Sequence, residues 1–329
     1  MTTKVSMASE KRFSNPYKIL RTLAEYGASD IENGKTALTG AALRKTVWQE
    51  KGHGEGVRMV IGPDILTNAR TALATTGWAV IPDVIQPAEA AHALDRLHAA
   101  AAESERRGDA TFMPVLDPNP SNVRVFYLLE LDALFRAMIR HPVALEMVRG
   151  LLGDRFLISN FTANIALPGA RSMALHSDQS LVVPEPWVKP WALNIIWCLT
   201  DVTFENGGTL HIPGSHLWQQ RSDVPPDALD RLRPFEAKAG SIVAMDGRLW
   251  HTSGANITAD QERALLFGYY TKPFLRPQVN WNVGLSPDVQ AGLDVEMREW
   301  LGLNREANTG EAADVRPGGT GIAREGMGA

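Results

Sequence analysis

Apolar and polar positions along this chain follow two periods, and the change from one to the other falls near residue 156. Before it the spacing is helical. Ile65 to Thr76 is predicted as a helix with Asp64 at its N-cap. Gly77-Trp78-Ala79-Val80-Ile81-Pro82 reads as a short strand. Gln86 to Arg107 is Ala-rich, with apolar positions at Ala90, Ala93, Leu94 and Leu97, which predicts a long amphipathic helix. His92 and His98 sit on that helix at surface or boundary positions, with no carboxylate at a ligand offset. Asp109 to Ser121 contains three Pro and is predicted as loop. Leu128 to Leu152 alternates helical patches that break at His141-Pro142, with His141 starting a helix.

Beyond residue 156 the pattern turns toward β. Phe156 to Leu167 is rich in β-branched and aromatic residues and stops at Pro168-Gly169. Val182 to Pro190 is a loop rich in Pro and Trp. Trp191 to Thr200 is apolar almost throughout, interrupted by Asn194, as in a fully buried strand. Thr209 to Ile212, Gly240 to Asp246 and Ala264 to Thr271 are further strands, and Gln219 to Phe235 is a polar, partly helical insertion. Many short strands between Gly/Pro turns predict a mainly β, α+β protein: an antiparallel two-sheet jelly roll with flanking helices. The expected domain covers 58–303, its β core about 156–273, with a last helix at Met297 to Leu303. Residues 1–57 read as an N-terminal extension, with a short helix over Tyr17 to Tyr26 and loop from Asn33 to Gly56. Residues 304–329 read as a flexible tail.

Composition narrows the function. The chain has 329 residues, 44% hydrophobic and 21% charged, with net charge −4. Such a balance gives no basic field to recruit nucleic acid or an anionic membrane. The single Cys198 excludes an intramolecular disulfide framework, and its apolar setting predicts a buried, inert thiol. Met1 to Phe13 lacks a signal-peptide core and no stretch has transmembrane length. The expectation is a cytoplasmic protein, monomer or homodimer, acting on a small molecule.

The candidate chemistry lies in Leu175-His176-Ser177-Asp178. Residues i and i+2 of a strand share a face, so His176 and Asp178 can aim at one point. His251, in Leu249-Trp250-His251-Thr252-Ser253-Gly254, can supply a third ligand. Two His and one carboxylate on one side of a metal form the facial triad of non-haem Fe(II) oxygenases. Two further segments lie in order with these: Glu205-Asn206-Gly207-Gly208-Thr209-Leu210-His211-Ile212-Pro213-Gly214-Ser215-His216 and Asp260-Gln261-Glu262-Arg263.

With these pieces in this order, the sequence from about Gly77 to Pro273 resembles the phytanoyl-CoA dioxygenase family of Fe(II)/2-oxoglutarate oxygenases. The resemblance implies a double-stranded β-helix (cupin-like jelly roll), iron on His176, Asp178 and His251, and O2 and 2-oxoglutarate as cosubstrates. It implies conversion of 2-oxoglutarate to succinate and CO2, coupled to oxidation of a C–H bond. Hydroxylation is the leading outcome, with desaturation, epoxidation or rearrangement as others. Related halogenases lack the carboxylate, so Asp178 argues against halogenation. Arg263 is expected to hold the far carboxylate of 2-oxoglutarate with a bidentate fork. Thr209 follows the Asn-Gly-Gly turn and is a second cosubstrate contact. Asn164 and Asn194 are polar breaks in apolar strands, satisfied either by cosubstrate or by neighbouring backbone. His216 reads as a structural turn residue, and His211 is not assigned to iron. Phe112, Met113, Phe126, Trp187, Trp191 and Trp281 lie in segments expected to rim the cleft, and each can equally be packing. They favour a small, largely apolar substrate. No basic cluster suits coenzyme A phosphates. Two other readings stay open here, a non-catalytic jelly-roll binding protein and a zinc hydrolase.

Overall fold

The computed structural model describes residues 62–303. The predicted extension over 1–57 and tail over 304–329 lie outside the described residues. Helix α1 spans Pro63–Thr76. Asp64 is not its cap; Gly62 holds that place and Pro63 opens the helix, where a missing N–H is harmless. Strand β1 (Trp78–Ile81) follows directly. Helix α2 (Pro87–Arg107) starts on a reciprocal capping box between Gln86 and Glu89. Its buried positions, Ala90, Ala93, Leu97 and Ala100, form one stripe at helical spacing.

The short strand β2 (Asn122–Val125) was not anticipated, because Asn122 and Arg124 interrupt its apolar pattern. Three helices follow: α3 (Leu128–Leu131), α4 (Ala133–Ile139) and α5 (Pro142–Leu152). As expected, His141 opens α5, its Nδ1 accepting from the Val143 amide. The remaining strands are β3 (Leu157–Ala166), β4 (Ala192–Cys198), β5 (Leu210–His211), β6 (Arg233–Pro234), β7 (Ile242–Asp246), β8 (His251–Thr252) and β9 (Arg263–Thr271). The insertion at 219–235 carries two 3-10 turns. Beyond β9 come α6 (Trp281–Gly284), α7 (Pro287–Ala291) and α8 (Val295–Trp300). The predicted last helix thus begins and ends earlier than Met297 to Leu303.

The strands form two antiparallel sheets. One has the order β1-β7-β4-β9-β3-β2, the other β6-β5-β8. This is the expected jelly-roll core with helices against it. Register divides the large sheet cleanly. Ala163, Leu266 and Trp197 stand in one row, and Ile165 with Ala264 in the next. They join α1–α5 in the main apolar core, where Phe135, Phe161 and Leu266 are fully buried. The alternate positions, Asn164, Leu265 and Cys198, then Thr162, Phe267 and Ile196, then Asn160, Tyr269 and Asn194, point to the other face. That face packs a smaller apolar cluster of Ile196, Cys198, Val243, Met245 and Leu265 with Phe235 and Leu249. Burial pushes the Cys198 thiol up to about 12, so it is inert, as read from the sequence. Among the described residues no helix is long and apolar enough to cross a membrane.

Candidate functional site

His176 and His251 are joined by their backbones. The amide of His176 donates to the His251 carbonyl at 3.0 Å, and the reverse bond is 2.8 Å. This isolated antiparallel bridge puts both side chains on one face, with ring centroids 4.4 Å apart. Asp178 arrives differently from the strand geometry expected of it. After Ser177 the chain turns into a 3-10 helix, Asp178–Leu181, pinned by the Gln179 amide on the Gly247 carbonyl. Asp178 Oδ1 ends 3.8 Å from His176 Nε2 and 3.9 Å from His251 Nε2. One donor atom from each of the three lies within 4.8 Å of the others.

Each imidazole is oriented the same way. His176 Nδ1 lies 2.8 Å from the Ala174 carbonyl, and His251 Nδ1 lies 2.9 Å from the Leu249 carbonyl. A carbonyl can only accept, so Nδ1 carries the proton and Nε2 presents its lone pair. Burial, and then the neighbouring His176, lower the His251 pKa and favour the neutral, ligating form. The far carboxylate oxygen of Asp178 accepts from Asn194 Nδ2 at 3.1 Å. Asn194, expected to meet cosubstrate or backbone, instead orients this carboxylate.

The Asn-Gly-Gly-Thr…Pro-Gly-Ser-His segment is scaffolding for His251. Asn206 ties its own turn through the Thr203 amide and the Asp201 carbonyl. Gly207 has φ +89, and a Cβ on Gly208 would lie 2.7 Å from the Thr203 carbonyl oxygen, so neither tolerates a side chain. Ser215 Oγ accepts from the Trp250 amide, and the Ile212 amide donates to the Trp250 carbonyl. His216 is the structural residue it was read as, its Nε2 donating to the Ala74 carbonyl. His211 pairs with His251 along β5 and β8 but joins no metal cluster. Burial and then His251 hold it down to about 3, and both ring nitrogens lack partners.

Arg263 opens β9 on the same sheet face as Asn194 and is only 1% exposed. It donates to the Gly207 carbonyl, the Asn164 carbonyl and Asn164 Oδ1. A guanidinium has five N–H groups, so capacity remains. Among the described residues no carboxylate pairs with it. Glu262, its sequence neighbour, meets His98 instead. Burial, and then Arg124, lower the Arg263 pKa to about 10, leaving it a cation. Asn164 completes the arrangement: its oxygen faces Arg263, and its buried Nδ2 has no partner. Thr209 is buried on the adjoining segment, two residues from Gly207.

The aromatic candidates divide. Trp187 is 1% exposed, packs with Leu210, Ile212 and Trp250, and donates its indole N–H to the Val182 carbonyl. Trp281 is buried in the main core and donates to the Ile158 carbonyl. Trp187 is a packing residue, which corrects its expected place at the rim, whereas Trp281 packs in the core and also lines the groove along Phe156, Phe274 and Trp300. Phe112, Met113 and Phe126 are half-buried beside β2. Trp191 is tied to the site: its amide donates to Gln179 Oε1, next to Asp178, and its ring stands edge-on to exposed Phe274. A groove of about 690 Å3 along Phe156, Phe274 and Trp300 is lined by none of the three ligands. Sequence reading missed Tyr269. Burial and then the Asp178 charge push its phenol well above the ordinary value, so it stays a neutral hydroxyl beside the site.

Comparison with known proteins gives a consistent picture. The family model described as phytanoyl-CoA dioxygenase (PhyH) matches residues 73–264. A relative named dioxygenase af480, from Aspergillus fumigatus, is 56% identical over 239 residues, covering 73% of this chain and 77% of its own. Dioxygenase trt7 of Aspergillus terreus is 32% identical over 129 residues, 38% of this chain and 44% of its own. Among solved structures, the non-haem α-ketoglutarate-dependent carbocyclase SnoK superposes with TM-score 0.53 at 23% identity, over 67% of this chain and 90% of its own. The related epimerase SnoN gives TM-score 0.54 at 19% identity, over 71% and 93%. At these identities the two structures speak for the fold.

Proposed function

The chain belongs to the phytanoyl-CoA dioxygenase family of non-haem iron, 2-oxoglutarate-dependent dioxygenases, and from that membership we propose that it hydroxylates an unactivated C–H bond of a small organic substrate at His176, Asp178 and His251. The donor set suits divalent iron: two imidazoles, each turned by a backbone carbonyl at its Nδ1, and one carboxylate oxygen, with one donor atom from each within 4.8 Å of the others. When bound, iron supplies O2 chemistry that converts 2-oxoglutarate to succinate and CO2 while a substrate C–H bond is oxidised.

The protein's part is positioning. Asn194 holds Asp178 so that one oxygen faces the two Nε2 atoms. Arg263 carries the proposal furthest. A buried cation whose described partners are all neutral oxygens is costly unless an anion joins it. The unpartnered Asn164 Nδ2 adds a second donor beside it. Together they suit the distal carboxylate of 2-oxoglutarate, with Thr209 as a further contact. A zinc hydrolase would have no use for this buried guanidinium. Trp191, with exposed Leu181 and Val183 just after Asp178, supplies an apolar approach to the site. Phe112, Met113 and Phe126 are proposed as the opposite border. The reading places the oxygenase domain over 58–303.

The test is succinate formation from 2-oxoglutarate by iron-loaded protein with ascorbate, beside His176→Ala. The expected result is turnover in the wild type and none in the variant. Equal rates in both would overturn the assignment, as would failure of the anaerobic protein to develop the visible Fe(II)–2-oxoglutarate charge-transfer band.

A further inference from the structure

Buried polar atoms without partners concentrate at the metal end of the large sheet. Asn160, Tyr269 and Asn194 stand side by side in one row across β3, β9 and β4. Thr271 follows on the same face, one row along. Asn194 Oδ1, Asn160 Oδ1 and Thr271 Oγ1 are all buried with no hydrogen-bond partner. Tyr269 is 7% exposed and lies near the charge of Asp178. Buried polar groups left unpaired cost free energy, so a cluster of them implies something that pairs with them.

The chemistry of Asn194 says what. Its Nδ2 donates to Asp178, and a carboxylate can only accept. The amide is therefore fixed, and the atom left over is its oxygen, which needs a donor. A ketone or ether cannot supply one; a hydroxyl can. That hydroxyl can also accept from the phenol of Tyr269 or from Thr271. The opposite end of the same face has the reverse need. There Asn164 has a leftover N–H beside Arg263, which calls for an anion. Arg263 and Tyr269 are six residues apart on β9, about 20 Å along its backbone, and a carboxylate that answers Arg263 has no hydrogen to donate to Asn194 Oδ1, so the two needs are met by different molecules.

We propose that Asn194, Tyr269 and Thr271, with Asn160 beside them, hydrogen-bond a hydroxyl group of the organic substrate, so that the enzyme takes hydroxyl-bearing carbon skeletons in preference to their ketones and hydrocarbons. This rests on the oxygenase reading above and adds the substrate class to it. The apolar segment at Leu181, Val183 and Trp191 then faces the rest of the skeleton.

The experiment uses full-length anaerobic protein loaded with Fe(II) and 2-oxoglutarate, whose charge-transfer band reports the oxygenase reading by itself. Two matched series serve as probes: borneol, camphor and bornane, and menthol, menthone and menthane. Binding is read from the perturbation of that band. The expected result is that the alcohol binds roughly tenfold or more tightly than its ketone or hydrocarbon. Tyr269→Phe and Thr271→Val should shrink that preference while leaving the unperturbed band intact. Failure of the band to form sinks the oxygenase reading itself. A normal band with no alcohol bound, with equal affinity across each series, or with an alcohol preference unchanged in both variants, overturns the hydroxyl proposal alone.

Discussion

The two faces of the large sheet are built from the same strands and behave as different materials. Toward the helices, alternate residues such as Ala163, Ile165, Leu193 and Leu266 are apolar and fully or nearly fully buried. The Tyr270 hydroxyl on that side is satisfied by the Ile139 carbonyl. Among the described residues, the one orphan on that face is the Trp197 indole N–H. Toward the small sheet, the same three strands, β3, β4 and β9, carry Asn160, Asn164, Asn194 and Thr271, each with an unpartnered buried atom, and the buried cation Arg263. The contrast teaches a division of labour at single-residue alternation. One face supplies stability through close packing, and the other holds buried polar groups left without partners, the groups proposed above to meet ligands.

Substitutions on each face can break this contrast. Leu266→Ala removes a fully buried side chain on the helix face and should destabilise by about 2–5 kcal/mol, read by urea unfolding. The Fe(II)–2-oxoglutarate band of the folded fraction should be unchanged. Arg263→Met should do the opposite. Affinity for 2-oxoglutarate falls roughly a hundredfold or more, while ligand-free stability changes less than in Leu266→Ala, because loss of a buried charge offsets the three oxygens left without its hydrogen bonds. A variant that binds 2-oxoglutarate normally would erase the distinction between the faces. Asn194→Ala should weaken iron binding by about 10–100-fold, measured by competition with a chelator. The most gradual effect is that of pH on metal-free protein. His211 is held neutral by burial, with a native value of about 3 against an ordinary 6.5. The unfolded chain therefore binds the proton first as pH falls, and stability drops between 6.5 and 3, by about 1.4 kcal/mol per pH unit for such a group. His216, also lowered by burial, acts with the same sign. A flat unfolding midpoint across that range would show that these imidazoles are not buried as described.

Much of this was legible in the chain because it is local. Strand runs such as Phe156 to Leu167 and Trp191 to Thr200 announce themselves by composition. The His-x-Asp segment, His251 and Arg263 stand in a recognisable order, and the geometry brings His176, Asp178 and His251 together. What escaped depends on distant partners. Asp178 reaches its place through a 3-10 turn pinned by Gly247, not through strand alternation. Trp187 and Trp281 have the same composition as cleft residues, and only the carbonyls of Val182 and Ile158 reveal them as packing. Asn194 reads as a polar break whose partner, sixteen residues earlier, is visible only in three dimensions. Tyr269 was hidden because β9 is buried on both faces, so its alternation carries no polarity signal.

The small sheet rests on strands of two residues, and the bridge between His176 and His251 adds one more backbone pair to it. An ion held, as proposed, by those same two side chains and Asp178 would rivet a long loop of chain closed and disfavour the open states from which proteolysis begins. Iron scarcity would then shorten the protein's lifetime as well as idle it, linking abundance to the supply of the element it needs.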